Sequence, residues 1–352
     1  MTDAPSTEAA ATPTESRFSA AGRATYELAL RLGGLFVAII LVGIVFETLN
    51  HAFLNTDVII SLLRSMSSVA IMALGLTLVV VGGEIDLSVG AMYGLAANSL
   101  AVLWILNGVS VYLAIPLAIT VGALVGLFNG VLVTFAKIPA FVVTLGSYNL
   151  LYGISLYISH AGTFNPVYPP EGIEIDPGQL KFFQALTEQF GAHKISIEVL
   201  WMALFALVVG FLLHRSLFGF RLMAIGGNPI AGRLARLPVR RYKIIAFVLA
   251  GMLSAAAGTL DFSFIQTAQP DLGLSSTFPV FAAVIIGGAS LAGGKGTIIG
   301  TIGGAMLLAE LQTGLALLTL GPHAQQLFLG FVTIGAVALD IVLTKLRARN
   351  NA

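Results

Sequence analysis

The chain has 352 residues and a formal net charge of +1; apolar residues make up 57% and Asp, Glu, Lys and Arg together 10%. A soluble domain carries about 25% charged residues, so most of this chain belongs in lipid or in a helical bundle within it. There is no cysteine, which excludes disulfides and thiolate metal sites, and the five histidines fall in no H-E-x-x-H or comparable spacing.

Residues 1–23 are rich in Ala, Thr, Ser, Pro and Glu without apolar periodicity and are expected to form a disordered tail. The apolar run Leu35–Phe46 starts late and ends without a small-residue cleavage pattern, so it reads as a first spanning helix and not as a signal peptide. From there to residue 343 the chain offers about ten segments of spanning length: 33–50, 61–82, 88–107, 111–135, 141–159, 196–213, 244–264, 279–293, 297–319 and 324–343. About 20 apolar residues cross the hydrocarbon, and backbone groups in lipid must bond internally, which leaves helices as the element. The expected fold is therefore an all-α polytopic bundle in the bilayer over 24–343, with a short tail at 344–352. Segment 279–293 is short and glycine-rich and is expected to be a broken or re-entrant helix.

Charge sets the orientation. With both termini cytoplasmic, the tail, the Lys137 loop, 214–243, the Lys295 turn and the C-terminal tail hold 15 of the 18 Lys and Arg residues; only Arg64, Lys181 and Lys194 fall elsewhere. Lys and Arg stay inside. Basic residues gathered at membrane boundaries, not on one face, also argue against a nucleic-acid partner. The largest external segment, 160–195, carries four prolines and the acids Glu171, Glu174, Asp176 and Glu188. Its Phe182, Phe183, Leu186 and Phe190 share a helical face, expected to rest on the outer interface or to form part of a docking surface.

Three stretches could carry function. In Val79–Gly90, two glycines permit a break, two acids follow, and Asp86 and Ser88 are placed to cap the next helix. In Gly226–Lys243, Asn228 is an N-cap, Pro229 fits the first helical position, and Pro238 is expected to stop the helix. Ile230, Leu234 and Leu237 then form an apolar stripe, with Arg233 and Arg236 turned away from it, which suits insertion into a groove on another protein. The third, Val284–Thr297, resembles a phosphate-binding loop but fails its spacing: Ala289 stands where a glycine is required and Gly296 where Ser or Thr would meet magnesium. It reads as close glycine-mediated helix packing, so no ATPase is visible in the chain and no catalytic residue is assigned.

Together these stretches resemble the membrane permease subunit of ribose-type ABC importers, the branch carrying simple sugars and polyols. The residues that carry the resemblance are Gly83–Gly90, Asn129–Thr134, Ile138–Gly146, Gly226–Val239 and Ala283–Gly296, within about 60–343. The resemblance implies a bacterial inner-membrane protein that pairs with a second permease copy or a paralogue, an ABC ATPase and a periplasmic solute-binding protein. It implies no cofactor on this chain, with ATP and magnesium in the ATPase, and it makes 226–238 the coupling helix. The departures are Glu84, an addition to the commonest glycine motif, and Thr277–Ala283, which lacks the acidic pair of many relatives.

A solute path at the permease dimer interface would be lined by mild polar groups, with Asp86, Ser88, Asn98, Asn129, Thr144, Ser147, Asn149 and Gln266 as candidates; the bland reading of each is helix-to-helix bonding. The competing function is an ion-coupled secondary transporter of a small polar solute, using Glu47, Glu84, Asp86, Asp261, Glu310 and Asp340 as relay acids.

Overall fold

The computed structural model describes residues 32–191, 194–321, 323–335 and 338. The expected tails 1–23 and 344–352, and Asp340, lie outside these. Eight helices among the described residues are long and apolar enough to cross a membrane. They are α1 (Leu32–Leu49), α2 (Thr56–Val81), α3 (Val89–Ala101, extended to Leu106 by a π turn), α4 (Val111–Thr134), α5 (Ala140–Ile158), α7 (Ile197–His214), α10 (Val239–Ile265) and α12 (Ile298–Leu317). Shorter helices are α6 (Pro177–Ala185), α8 (Leu217–Gly227), α9 (Pro229–Leu234), α11 (Thr277–Ile286) and α13 (323–335).

Helix α2 is the axis of the bundle. Every residue from Ala70 to Val81 is buried, as expected of a helix apolar on all sides. It packs against α7, α10, α11 and α12. Helix α10 also lies along α4, where a Cβ on Gly122 would meet the Gly251 carbonyl oxygen at 2.3 Å and one on Gly251 the Gly122 oxygen at 2.1 Å. Small residues let these backbones touch, which is how helices associate where lipid removes the hydrophobic drive. The outer faces of α1, α4, α5 and α7 display Phe36, Ile40, Leu124, Phe128, Phe141, Leu207 and Phe211, an apolar belt fit for lipid.

Several expected boundaries move, among them the start of α2, at Thr56 and not at the expected 61. Helix α10 starts at Val239, five residues before the expected 244, so Arg240, Arg241 and Lys243 stand in its first turns. The 214–243 segment is consequently not a loop but two short helices, α8 and α9, and the start of a third. The glycine-rich segment expected over 279–293 is helical only over Thr277–Ile286. Residues 287–297 continue without a helix, their backbone bonded from Gly294 N to Val81 O at 2.8 Å and from Ser290 N to Lys295 O at 3.0 Å. Irregular backbone of this kind is tolerated within a membrane protein when it is buried in protein.

The 160–195 segment also differs from expectation. Asp176 caps α6 through its Oδ1 on Gln179 N at 2.8 Å. The fully buried Phe183 then pins that helix to the bundle, 5.0 Å centroid to centroid from both Trp104 and Phe262. Phe190 leaves the helical face for a two-residue strand, Gln189–Phe190, paired with Ile195–Ser196. The aromatic face thus divides: Phe183 is spent inside the protein and Leu186 is half-buried, while Phe182 and Phe190 stay exposed.

Candidate functional site: the 82–88 loop and its neighbours

Helix α2 ends at Val81 because Gly82 closes it and Gly83 turns at φ +78°, a conformation that favours glycine. The chain then folds back into the bundle, so that Asp86 and Ser88 are both fully buried. Asp86 Oδ1 accepts from Ser88 N at 2.8 Å and from Ser88 Oγ at 2.5 Å. Ser88 makes no side-chain cap, contrary to expectation, because its hydroxyl is committed to Asp86. Ser88 Oγ also accepts from Asn129 Nδ2 at 2.9 Å, and Asn129 Oδ1 accepts from Ser147 Oγ at 2.5 Å. Thr144 stands beside this chain, its Oγ1 donating to the Ala140 carbonyl at 2.9 Å and lying 3.4 Å from the Ile85 carbonyl.

Five of the eight path candidates therefore meet at one place, where the loop joins α4 and α5. Four form a continuous buried relay, Asp86–Ser88–Asn129–Ser147. The remaining three lie elsewhere. Asn98 donates to Ser155 Oγ and the Gln269 carbonyl, both at 2.8 Å. Asn149 is exposed on α5 and bonds only its own helix, at Leu145 O. Gln266 is the left-handed C-cap of α10, with its amide on the Ser263 carbonyl.

Burial pushes the Asp86 carboxyl up to about 6 from its ordinary 3.8, against the two Ser88 hydrogen bonds that pull it down. Its Oδ2 has no hydrogen-bond partner among the described residues. Glu84, on the same loop, forms an ion pair with Lys243 of α10 at 2.5 Å. The acid added to the glycine motif thus has a structural partner, visible only once α10 begins early enough to hold Lys243.

Helix α9 follows directly on α8, whose Gly226 lies against Gly83 of this loop. Asn228 Oδ1 accepts from Ile230 N at 3.1 Å and Ala231 N at 3.0 Å, the expected N-cap, with Pro229 at the first position. The end of the helix departs from expectation. It closes at Leu234, four residues before Pro238, by a Schellman pattern: Leu237 N bonds Gly232 O at 3.0 Å and Arg236 N bonds Arg233 O at 2.9 Å. Arg236 takes the left-handed position usually given to glycine, at φ +57°. Leu237 therefore lies past the helix and is half-buried, so the apolar stripe reduces to Ile230 and Leu234, 64% and 82% exposed.

The basic residues of 214–243 divide by use. Arg221 donates to Tyr242 Oη at 2.9 Å, Arg240 stacks over Phe135 at 4.9 Å, and Lys243 pairs with Glu84. Arg233 and Arg236 are exposed and bond no side chain among the described residues. In the last turn of α8 lies the tightest contact at this end: a Cβ on Gly226 would fall 1.8 Å from Val81 O and 2.7 Å from Gly294 N. The last turn of α8, the end of α2 and the 287–297 segment thus meet backbone to backbone, as the glycine-packing reading of Val284–Thr297 anticipates.

Sequence reasoning missed a second polar cluster. Arg64 of α2 binds Glu198 of α7 through Nε at 3.2 Å and Asp261 of α10 through Nη2. Ser68 donates to Glu198 at 2.6 Å and Tyr93 to Asp261. An arginine eight residues inside an apolar run was a signal in itself, but its partners come from distant segments. Among the described residues the acids of the ion-coupled reading do not form a relay: Glu47 accepts from Leu54 N, Glu84 is paired with Lys243, Asp261 with Arg64, and Glu310 is buried beside α1 with its Oε2 unbonded.

Comparison with known proteins finds relatives among import permeases. The ribose import permease protein RbsC of Bacillus subtilis (strain 168) is 36% identical over 307 residues, 87% of this chain and 90% of the relative. The galactose/methyl galactoside import permease protein MglC of Haemophilus influenzae is 30% identical, over 87% of this chain and 92% of the relative. The xylose transport system permease protein XylH of Escherichia coli (strain K12) is 30% identical, over 96% of this chain and 97% of the relative. The family model described as branched-chain amino acid transport system / permease component matches residues 58–337. With that match spanning most of its length, and with its long apolar helices, the chain belongs to this family of multi-pass transport permeases.

Proposed function

We infer that the protein is the membrane permease subunit of an ATP-driven ABC importer that moves a simple sugar or polyol across the bacterial inner membrane. The relatives' names supply the solute class, and the glycine junction at Gly226 supplies the physical mechanism. In this reading the termini face the cytoplasm, about ten segments cross the bilayer, two permeases pair, and a solute-binding protein delivers cargo from the periplasm. The chain itself performs no hydrolysis; ATP and magnesium belong to the partner ATPase.

Helix α9 is the element that seats on that ATPase. Its cap and Schellman closure make it rigid, and it offers Ile230 and Leu234 with Arg233 and Arg236 alongside, unpaired among the described residues. Such an apolar pair with an arginine rim fits a groove on another protein. Closure of the ATPase subunits then shifts the permease between two conformations by moving α9. The movement reaches the Asp86–Ser88–Asn129–Ser147 relay because the residues just before α9 touch the end of α2. The observation that carries this reading is the contact of Gly226 with Val81 and Gly294. Arg233→Glu combined with Arg236→Glu is expected to leave the protein inserted and abolish co-purification of the ATPase; undiminished co-purification would remove α9 from that role.

A further inference from the structure

Helices α4 and α5 are joined by the short turn 135–139 and pack against each other. A groove of about 410 Å3 opens between them, with Leu95 and Ser99 contributed by α3. Its lining is apolar except for Ser99 and Ser147, and the Ser147 hydroxyl is committed to Asn129 at 2.5 Å. A polyhydroxyl solute finds almost nothing to bond there, which sets this groove apart from a sugar path. On α4 it continues as a single strip: Leu124, Phe128, Val131 and Phe135, at i, i+4, i+7 and i+11, share one helical face and are all exposed.

Cations mark the mouth of the strip. Lys137 stands exposed in the α4–α5 turn itself, at φ +57°. Arg240, exposed in the first turn of α10, lies over the Phe135 ring, 4.9 Å from its centroid. Neither forms an ion pair among the described residues. The flanking sequence offers no counter-ion, because no Asp or Glu occurs in 87–170 or in 199–260, and Glu84 is taken by Lys243. Arginine presents a planar fork and lysine a point charge, and both bind phosphate. Depth fits as well. By helix rise, Phe128 lies about 10 Å and Val121, in the groove, about 21 Å from Phe135. One leaflet of hydrocarbon is about 15 Å, half of the core, so an acyl chain that starts beside Phe135 ends inside the groove. Uncompensated cations above an apolar channel match the two halves of an amphiphile, and basic pockets between spanning helices take anionic headgroups.

We propose that the α4–α5 groove and its rim hold one anionic phospholipid per permease chain, with its phosphate on Lys137 and Arg240 and one acyl chain along Phe135, Val131 and Phe128 into the groove. In the orientation set by charge, this lipid belongs to the cytoplasmic leaflet. The site depends on the chain's lying in a bilayer and not on the solute it moves.

The test uses the permease–ATPase complex purified in detergent, titrated with dioleoyl phosphatidylglycerol or dioleoyl phosphatidylcholine and read by native mass spectrometry. One phosphatidylglycerol per permease chain is expected to bind at least about tenfold more tightly than phosphatidylcholine. Lys137→Gln with Arg240→Gln is expected to erase that preference, and Lys181→Gln on the external α6 to leave it intact. The position of the acyl chain is read in proteoliposomes from the added fluorescence of Phe128→Trp, which brominated phosphatidylglycerol is expected to quench more than brominated phosphatidylcholine. Equal binding of the two lipids, or a preference indifferent to the double variant, would overturn the headgroup site. Equal quenching, or no quenching because a second permease copy covers the strip, would overturn the groove as its acyl-chain seat.

Discussion

Gly226→Ala is the sharpest perturbation of the mechanism. The added methyl would fall 1.8 Å from Val81 O and 2.7 Å from Gly294 N, and these two atoms are themselves bonded at 2.8 Å. Neither is a flexible side chain, so backbone must move. Overpacking of this kind costs about 1–3 kcal/mol, and loss of the Gly294–Val81 hydrogen bond adds about 1 kcal/mol. The described conformation is then disfavoured by about 2–4 kcal/mol, or roughly 30-fold to several hundred-fold in a two-state equilibrium at 1.4 kcal/mol per tenfold. Gly227→Ala is the matched control, since its nearest new neighbour is Gly294 Cα at 3.8 Å. In proteoliposomes holding the full importer, Gly226→Ala is expected to keep its ATPase bound while uptake per ATP falls sharply, and Gly227→Ala to behave as wild type. Equal uptake per ATP and equal melting temperature in the two variants would refute the idea that this junction carries motion from α9 to the 82–88 loop.

Other predictions bear on the charges. Glu84→Gln and Lys243→Gln are each expected to lower thermal stability, and a double-mutant cycle should return a coupling in the 0.5–3 kcal/mol range of contacting residues; strict additivity would mean that the pair at 2.5 Å does not join the loop to α10. Asp86 makes stability depend on pH. Its folded carboxyl titrates near 6 and its ordinary value is 3.8, so the folded state holds the extra proton between them. The contribution of Asp86 to stability is fully present below pH 3.8 and is lost, by about 3 kcal/mol, as pH rises through 6. Asp86→Asn should flatten that part of a melting-temperature profile in detergent, and an unchanged slope would count against the burial argument. Arg64→Met leaves Glu198 and Asp261 together without their cation, and removing one partner of a buried pair costs about 3–5 kcal/mol; a melting temperature equal to wild type would show that the cluster is solvated.

Much of the site was legible before the fold. Asn228 and Pro229 cap and start α9 as their side chains require, because capping is settled within three residues. The glycine spacing of Val284–Thr297 excludes a phosphate loop and signals close packing, and the 287–297 backbone lies against Val81, Gly226 and Gly227. The stop of α9 was misread because a proline is a loud signal, whereas the Schellman closure around a left-handed Arg236 has no glycine to announce it. Leu237 left the apolar stripe for the same reason. The polar path candidates were chosen one by one, and nothing in the spacing of 86, 88, 129 and 147 says that they touch, or that Asn149 points away from them.

By itself the sequence determined the solvent of this protein and the kind of element it uses. With 10% charged residues and continuous apolar runs of bilayer length without the alternation of barrel strands, backbone hydrogen bonding leaves helices, and that conclusion needs no long-range information. The tertiary structure alone decided which charges meet. Arg64, Glu198 and Asp261 come from segments up to 197 positions apart, and Glu84 finds Lys243 across 159. A buried charge announces that it needs a partner, but only the packing of helices through their glycines fixes which one comes within hydrogen-bond reach.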